Sequence, residues 1–303
     1  MTLVVGSARR RTPATPPPDI PTSAPYNVAT HLTIPTYDGS NQPVHPDVID
    51  FGFGTPWHGW RFWMVMTPYP NYDASWEDPS IVVSNDGLTW QVPAGLTNPP
   101  YRPVEGPYNN DPDIVHDPIT DELVLFYRDY DVPKTARSSD GITWPTTPTT
   151  IEARIGVSPS YLRRSDGVWL RWTPTGLSSA PAAEGPYTDV GAYTGLTNAW
   201  HYNVAPAPGG GYHMIYHDDS DGQKNVKLAS SANGYNWTVN TTPVLVSGTQ
   251  PWSMSNLYRP AFTLHEDGNR YRVWYCGVSP SGTQSVWRIG YTEIPLTEWP
   301  TIP

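Results

Sequence analysis

The sequence predicts an all-β chain folded as a five-bladed β-propeller with four-stranded antiparallel blades. Three observations carry that prediction. Proline (36) and glycine (25) interrupt the 303 residues so often that no twelve-residue window keeps a clean helical stripe. A turn of the form Ser-x-Asp/Asn-Gly-x-x-Trp recurs three times. A strand followed by a second, apolar strand recurs five times, and five such units around an axis make a propeller. All-β chains of this length often form one domain. The 14 Trp and 19 Tyr supply the buried area that a 38% apolar fraction alone would not.

The elements follow in chain order. Residues 1–28 read as a Pro-rich extended arm or linker, and residues 29–303 as the propeller. Residues 7–25 are too rich in Pro, Thr and Ala to pack a core. They read either as a disordered tail or as an arm docking on a larger assembly. The opening Met1 to Ala8 is a short apolar patch without a basic lead, so no secretion signal is expected. Thr30 to Pro35 are expected to close the ring on the last blade. The first strands begin at His45-Pro46-Asp47, Asp111-Pro112-Asp113, Ser158-Pro159-Ser160, His201-Tyr202-Asn203 and Tyr258-Arg259-Pro260. The second strands are expected at 61–67, 122–128, 168–173, 211–217 and 270–277. The recurring turns run from Ser84 to Trp90, Ser138 to Trp144 and Ser231 to Trp237, with a degenerate copy between the last two. In each, Asp or Asn accepts from backbone N–H groups, Gly supplies positive φ, and Trp seals the gap to the next sheet. These turns join strands three and four, so they mark the end of the axis opposite the starts of the inner strands.

The inner-strand starts form a mouth at the other end. They bring His45, Asp47, Asp111, Asp113, His201 and Arg259 toward the axis. Alternation places His45 with Asp47, and Asp111 with Asp113, on one face. Overhanging loops add Tyr69, Trp76, Glu77 and Asp78, then Arg128, Trp200 and Trp252. Rings that stack on sugar C–H surfaces, beside acids and Arg that bond hydroxyls, suit a glycan better than an apolar ligand. Some residues have a structural reading. Asp78 precedes Pro and fits a turn cap equally well. Glu184 sits at the degenerate turn and reads as structural, whereas Glu105, in a blade-joining loop, stays open. His213 reads as packing, and Cys276 as a buried strand residue. Residues 218–222 resemble a calcium loop but lack its closing Glu, so they read as an acidic turn.

Composition excludes two partner classes. A net charge of −10 repels phosphate backbones, so no nucleic-acid partner is expected. No apolar run reaches membrane-spanning length, so no span is expected. No metal site is assigned and no cofactor is required, although the axial acids are compatible with calcium.

The runs His45 to Ile49, Trp60 to Pro70, Glu77 to Ile81 and Ser84 to Trp90 resemble phage and bacterial proteins of glycoside hydrolase family 43-like type, many of them tail or adsorption proteins. The turns are also similar to the Asp-box turns of sialidases. The resemblance spans roughly residues 43–295 and is strongest in blade one. It implies three carboxylates, a general base, a general acid and a tuning group, best matched by Asp47, Asp111 and Glu77. An inverting reaction sets base and acid about 6.5–9.5 Å apart. Two departures stand out: His45 occupies the place where those hydrolases carry Asp before Pro, and blade four shows no clear acid Glu. The expectation is therefore a phage tail-associated propeller that recognises host cell-surface glycan through His45, Tyr69, Trp76, Asp78, Asp113, Arg128, Trp200, His201, Trp252 and Arg259. Its arm would bind other tail proteins, placing it on the virion, or in the host cytoplasm before assembly. The alternatives are a glycoside hydrolase acting on cell-envelope polysaccharide such as arabinan, and a propeller used only for docking proteins.

Overall fold

The computed structural model describes residues 18–104, 106–219, 224–281 and 284–302. Glu105 and most of the acidic turn at 218–222 lie outside these, as do residues 1–17 of the expected arm.

Five antiparallel sheets form the blades. Blade one holds β1 (Pro43–Asp50), β2 (Phe62–Pro68) and β3 (Ser80–Ser84). Blade two holds β4 (Asn109–Asp117), β5 (Glu122–Asp129), β6 (Val132–Ser138) and β7 (Thr149–Thr150). Blade three holds β8 (Ser160–Arg163), β9 (Trp169–Thr173), β10 (Gly176–Ala180) and β11 (Thr188–Gly191). Blade four holds β12 (Ala199–Pro206), β13 (Tyr212–Asp218), β14 (Asn225–Ser231) and β15 (Thr238–Leu245). Blade five holds β16 (Asn256–Leu264), β17 (Arg270–Ser281) and β18 (Gln284–Pro295). Blades one and five thus carry three strands where four were expected. The outer edge of blade one is a single bridge between Val83 and Gln91. Along β18 runs the segment at 30–35, with the Leu32 amide donating to the Ile289 carbonyl and Ile34 fully buried.

The inner strands β1, β4, β8, β12 and β16 neighbour one another around the axis. Five separate apolar cores fill the gaps between successive blades. A second strand lies between two neighbouring sheets, so both its faces are buried. This is why Phe62-Trp63-Met64-Val65-Met66 and Leu123-Val124-Leu125-Phe126-Tyr127 read as unbroken apolar runs rather than alternating ones.

The recurring turns fold as their chemistry predicts, with one refinement. Asp86 Oδ1 accepts from the amides of Leu88 (2.8 Å) and Thr89 (2.7 Å), and Asp140 does the same for Ile142 and Thr143. Asn233 takes this part in the third copy. In the first two turns the Trp folds back on its own loop: Trp90 Nε1 donates to the Gly87 carbonyl and Trp144 Nε1 to the Gly141 carbonyl. The turn Trp also packs into the gap between sheets, as expected, and shares it with a second Trp from the second strand of the preceding blade. Trp63 lies under Gly141, where an added Cβ would sit 2.3 Å from its ring. Trp274 and Trp172 donate to the carbonyls of Gly87 and Gly234 in the same way.

At the other end four of the five inner strands are irregular, while β8 pairs regularly and starts just after Ser158. The pairing slips between Val44 and Asp47, Asn110 and Asp113, Trp200 and Asn203, and Tyr258 and Pro260. His45, Asp111, Ser158 and His201 have φ of 54°, 49°, 52° and 47°. In β1, β4 and β12 these are β-bulges, which turn a side chain out of the ladder toward the axis, and Ser158 takes the same conformation just before β8. Pro46, Pro112, Pro159 and Pro260 stand where the ladder breaks and an amide donor is dispensable.

Candidate functional site

A depression of about 170 Å³ opens on the axis at the bulged end. All five blades line it. Blade one gives His45, Tyr69 and Glu77, and blade two gives Tyr108, Asn110, Asp111 and Arg128. Val157 precedes blade three, Trp200 and His201 come from blade four, and Tyr258 from blade five.

At its base His45, Asp111 and His201 converge, one ligand-type atom from each lying within 4.8 Å of the others. All three are buried. His45 Nδ1 meets the Thr67 hydroxyl at 3.2 Å, and His201 Nδ1 meets the Ser158 hydroxyl. The Nε2 atoms of both rings are buried without a partner. Asp111 Oδ2 accepts from Arg128 (2.7 Å) and from the Ser158 amide (2.9 Å). Its Oδ1 faces the imidazoles, 3.7 Å from His45 Nε2. Tyr258 and Trp200 flank His201, with ring centroids at 4.0 and 4.3 Å.

Burial sets the protonation. It pushes the His45 imidazole down to about 4 and His201 well below its ordinary value, so both rings are neutral at pH 7. Burial alone would raise Asp111, but the imidazoles and the Arg128 guanidinium hold it well below the carboxylate range. Glu77 behaves oppositely. Burial, then the neighbouring Asp111 charge, push its carboxyl up to about 8, against the opposing pull of Arg128.

Neutral imidazoles and an ionised carboxylate are the forms in which these groups bind metal. Both Nδ1 atoms are oriented by hydroxyls, as outer partners orient metal-binding histidines. His45 Nε2 and His201 Nδ1 approach the same Asp111 oxygen, at 3.7 and 3.8 Å, and two imidazoles beside one carboxylate fit a divalent first-row transition metal. Calcium, which takes oxygen ligands, suits this donor set poorly.

The structure divides the sequence-predicted residues. His45, Tyr69, Glu77, Asp111, Arg128, Trp200 and His201 meet in the depression. Asp113 and Arg259 lie buried beneath it as an ion pair of 3.1 Å. Asp47 is separated from the expected carboxylate trio. It accepts from the Ile114 amide and Asn203 and borders a second cavity at the far end of the axis. Asp78 is fully buried among Tyr37, Arg102 and Asn109. Trp76 stands on the rim, and Trp252 is buried between blades four and five, donating to the Val28 carbonyl. Glu184 accepts from Arg137, Cys276 is buried on β17, and His213 packs on Trp299. Sequence reasoning missed Thr67, Ser158, Tyr108 and Tyr258. For Ser158 a signal existed, because Ser158-Pro159 repeats the His45-Pro46 and Asp111-Pro112 pattern.

No protein-family model matches the chain. It is 26% identical to the A type blood N-acetyl-α-D-galactosamine deacetylase of Flavonifractor plautii, over 85% of this chain and 45% of that enzyme. The chain thus spans about half the length of that curated relative. Its fold matches a crystal structure of an N-acetylgalactosamine deacetylase from F. plautii in complex with blood group B trisaccharide. The TM-score is 0.76 at 23% identity, covering 88% of this chain and 94% of that one. It also matches the glycoside hydrolase family 43 protein BlXynB of Bacillus licheniformis (TM-score 0.61, 16% identity, 83% of this chain and 52% of that one). The catalytic domain of the family 62 α-L-arabinofuranosidase of Coprinopsis cinerea matches likewise (TM-score 0.61, 12% identity, 88% and 96%).

The chain is a five-bladed β-propeller resembling the family 43-like carbohydrate-active hydrolases. These matches overturn the expectation of a phage tail-associated glycan-recognition protein, because the proteins it resembles are carbohydrate-active enzymes. They favour the hydrolase alternative. Among the described residues no helix is long and apolar enough to cross a membrane.

Proposed function

We propose that this chain is a metal-dependent hydrolase that removes the acetyl group from an N-acetylated amino sugar of a glycan. The observation that carries this reading is the buried His45–Asp111–His201 set, with both Nε2 atoms unpartnered. A glycosidase of the two-carboxylate kind needs a free base and a free acid facing one bond. Among the described residues lining the depression, only Asp111 and Glu77 are acids, and Asp111 is tied to Arg128 and the Ser158 amide. The similarity to a galactosamine deacetylase points the same way.

His45, Asp111 and His201 would hold the ion. When bound, a divalent metal supplies Lewis acidity at the acyl group and eases ionisation of water near neutral pH. Glu77 is the remaining proton carrier. Its ionised form, whose share grows as the pH approaches 8, takes the proton from the attacking water and returns it to the departing sugar nitrogen, so that the C–N bond breaks to acetate and a free amine. Arg128 holds Asp111 ionised and in place. Tyr69, Trp200 and Tyr258 offer ring faces to the pyranose.

The test is acetate release from oligosaccharides ending in N-acetylgalactosamine or N-acetylglucosamine. Acetate and free amine are expected in equal amounts, abolished by EDTA and restored by Zn²⁺, Mn²⁺ or Co²⁺. His201→Ala is expected to lose both bound metal and activity while keeping its far-UV circular dichroism. Release of reducing sugar without acetate would overturn the reading in favour of a glycosidase.

A further inference from the structure

We propose that an outer ring of aromatic side chains around the mouth holds the glycan beyond the sugar unit in the depression, so that the preferred substrate is an oligosaccharide rather than a free monosaccharide. This rests on the proposed function only for the nature of the inner sugar.

Among the described residues four aromatic side chains are more than a third exposed: Phe53, Tyr72, Trp76 and Tyr130. Phe53 follows β1 at the opposite end of the axis. The other three, 45%, 38% and 41% exposed, all stand on the two loops that overhang the mouth, after β2 and after β5. Each is one step from the depression. The Tyr72 ring is 5.7 Å from Tyr69, and the Tyr130 ring 5.6 Å from Tyr108, both of which line it. Trp76 precedes Glu77 and packs on Tyr37 at 5.9 Å.

The backbone adds an independent observation. Tyr72 has φ of 62° and Tyr130 has φ of 57°. Both are in the left-handed region, where Gly or Asn fits easily and a bulky side chain is unusual. Tyr130 is the first residue of the two-residue turn between β5 and β6, where hairpins normally carry Gly or Asn. Gly106 lies against it so closely that an added Cβ would sit 2.4 Å from the Tyr130 Cβ. Two half-exposed rings are therefore kept where turn geometry does not ask for them, Tyr72 edge-on to Trp287 and Tyr130 against Gly106. Strain of this kind is found where a ligand uses the side chain. The depression is small, about 170 Å³, and none of the three rings lines it, so they are placed to meet units beyond the one it receives. Flat, exposed faces around one opening suit the C–H faces of pyranoses.

Tyr72→Asn and Tyr130→Asn separate a ligand role from a structural one, because Asn removes the ring and relieves the backbone. Binding is measured by calorimetry on the full chain. The probes are N-acetylgalactosamine, N-acetylglucosamine and tetrasaccharides ending in each. The unsubstituted protein is expected to bind its preferred tetrasaccharide at least tenfold more tightly than the matching monosaccharide. The two Asn variants and Trp76→Ala are each expected to lose about three- to tenfold in tetrasaccharide affinity, with monosaccharide affinity unchanged. The Asn variants should keep or raise the melting temperature. Equal affinity for the mono- and tetrasaccharides, or unchanged tetrasaccharide affinity in all three variants, overturns the inference. Because binding is read directly, absence of acetate release would sink the proposed reaction and leave the outer ring standing.

Discussion

At the scale of single residues, the site is built from groups whose isolated burial is unfavourable. Glu77 is the clearest, a carboxyl raised from 4.5 to about 8 chiefly by burial. The sign of its linkage follows. The folded state holds this proton when the unfolded chain has already lost it, so stability falls as pH rises from about 4.5 through 8. Glu77→Gln keeps the shape and removes the ionisation. In EDTA, the variant is expected to match the parent near pH 4.5 and to exceed it by roughly 2–4 kcal/mol at pH 9, since each tenfold weakening of the acid corresponds to about 1.4 kcal/mol. Thermal unfolding at both pH values checks this, and an equal difference at each would sink it. The same variant should lower kcat about 10²–10⁴-fold with little change in KM, since it removes proton transfer and not sugar contacts. Seven of the site residues were legible from residue type and their place, His45, Asp111 and His201 at the inner-strand starts and Tyr69, Glu77, Arg128 and Trp200 on the overhanging loops. What was not legible was their joint role. His45 and His201 read as sugar contacts because nothing in the sequence tells that both Nδ1 atoms are satisfied by hydroxyls, or that one Asp111 oxygen lies beside both rings.

At the scale of elements, the two ends of each blade were unequally readable. The recurring turns announce themselves because their chemistry is local: the acceptor, the glycine and the donors lie within six residues. Asp86→Ala would orphan the Leu88 and Thr89 amides and is expected to destabilise by about 1–3 kcal/mol. The turn stands at the far end of the axis, so kcat and KM should not change. Urea unfolding together with acetate-release kinetics separates the two effects, and a fall in kcat of the folded variant would refute the separation. The bulges were hidden, because a bulge is a matter of φ and register and leaves only Pro46, Pro112, Pro159 and Pro260 as traces. Alternation placed His45 beside Asp47 and Asp111 beside Asp113. A bulge in β1 and another in β4 break that count. His45 and Asp111 reach the depression, while Asp113 pairs with Arg259 and Asp47 serves the lower end.

At the scale of the whole molecule, a site assembled from five blades exists only while the ring stays closed. The closure lies between blade five and blade one, and there it depends on chain that precedes β1. Ile34 is fully buried with Trp274, Ile289 and Met64, so it joins both blades through one core. Tyr26 and Val28, placed by sequence in the arm, are packed into the core between blades four and five, and Asn27 exchanges two hydrogen bonds with Val246. A three-stranded blade five is therefore completed by this segment rather than by a strand of its own. Ile34→Ala leaves a cavity at the seam and is expected to reduce stability by about 2–4 kcal/mol. His45 and His201 come from blades one and four, on the two sides of blade five. Loosening the seam should therefore weaken metal retention before global unfolding. The measurement is metal release into a chelator from the loaded protein under native conditions, compared with Leu123→Ala, a truncation of similar size in the core between blades one and two. Faster release from Ile34→Ala than from Leu123→Ala at matched stability places the weak point at the ring closure. Equal release rates would mean that the propeller opens as one unit, with no seam.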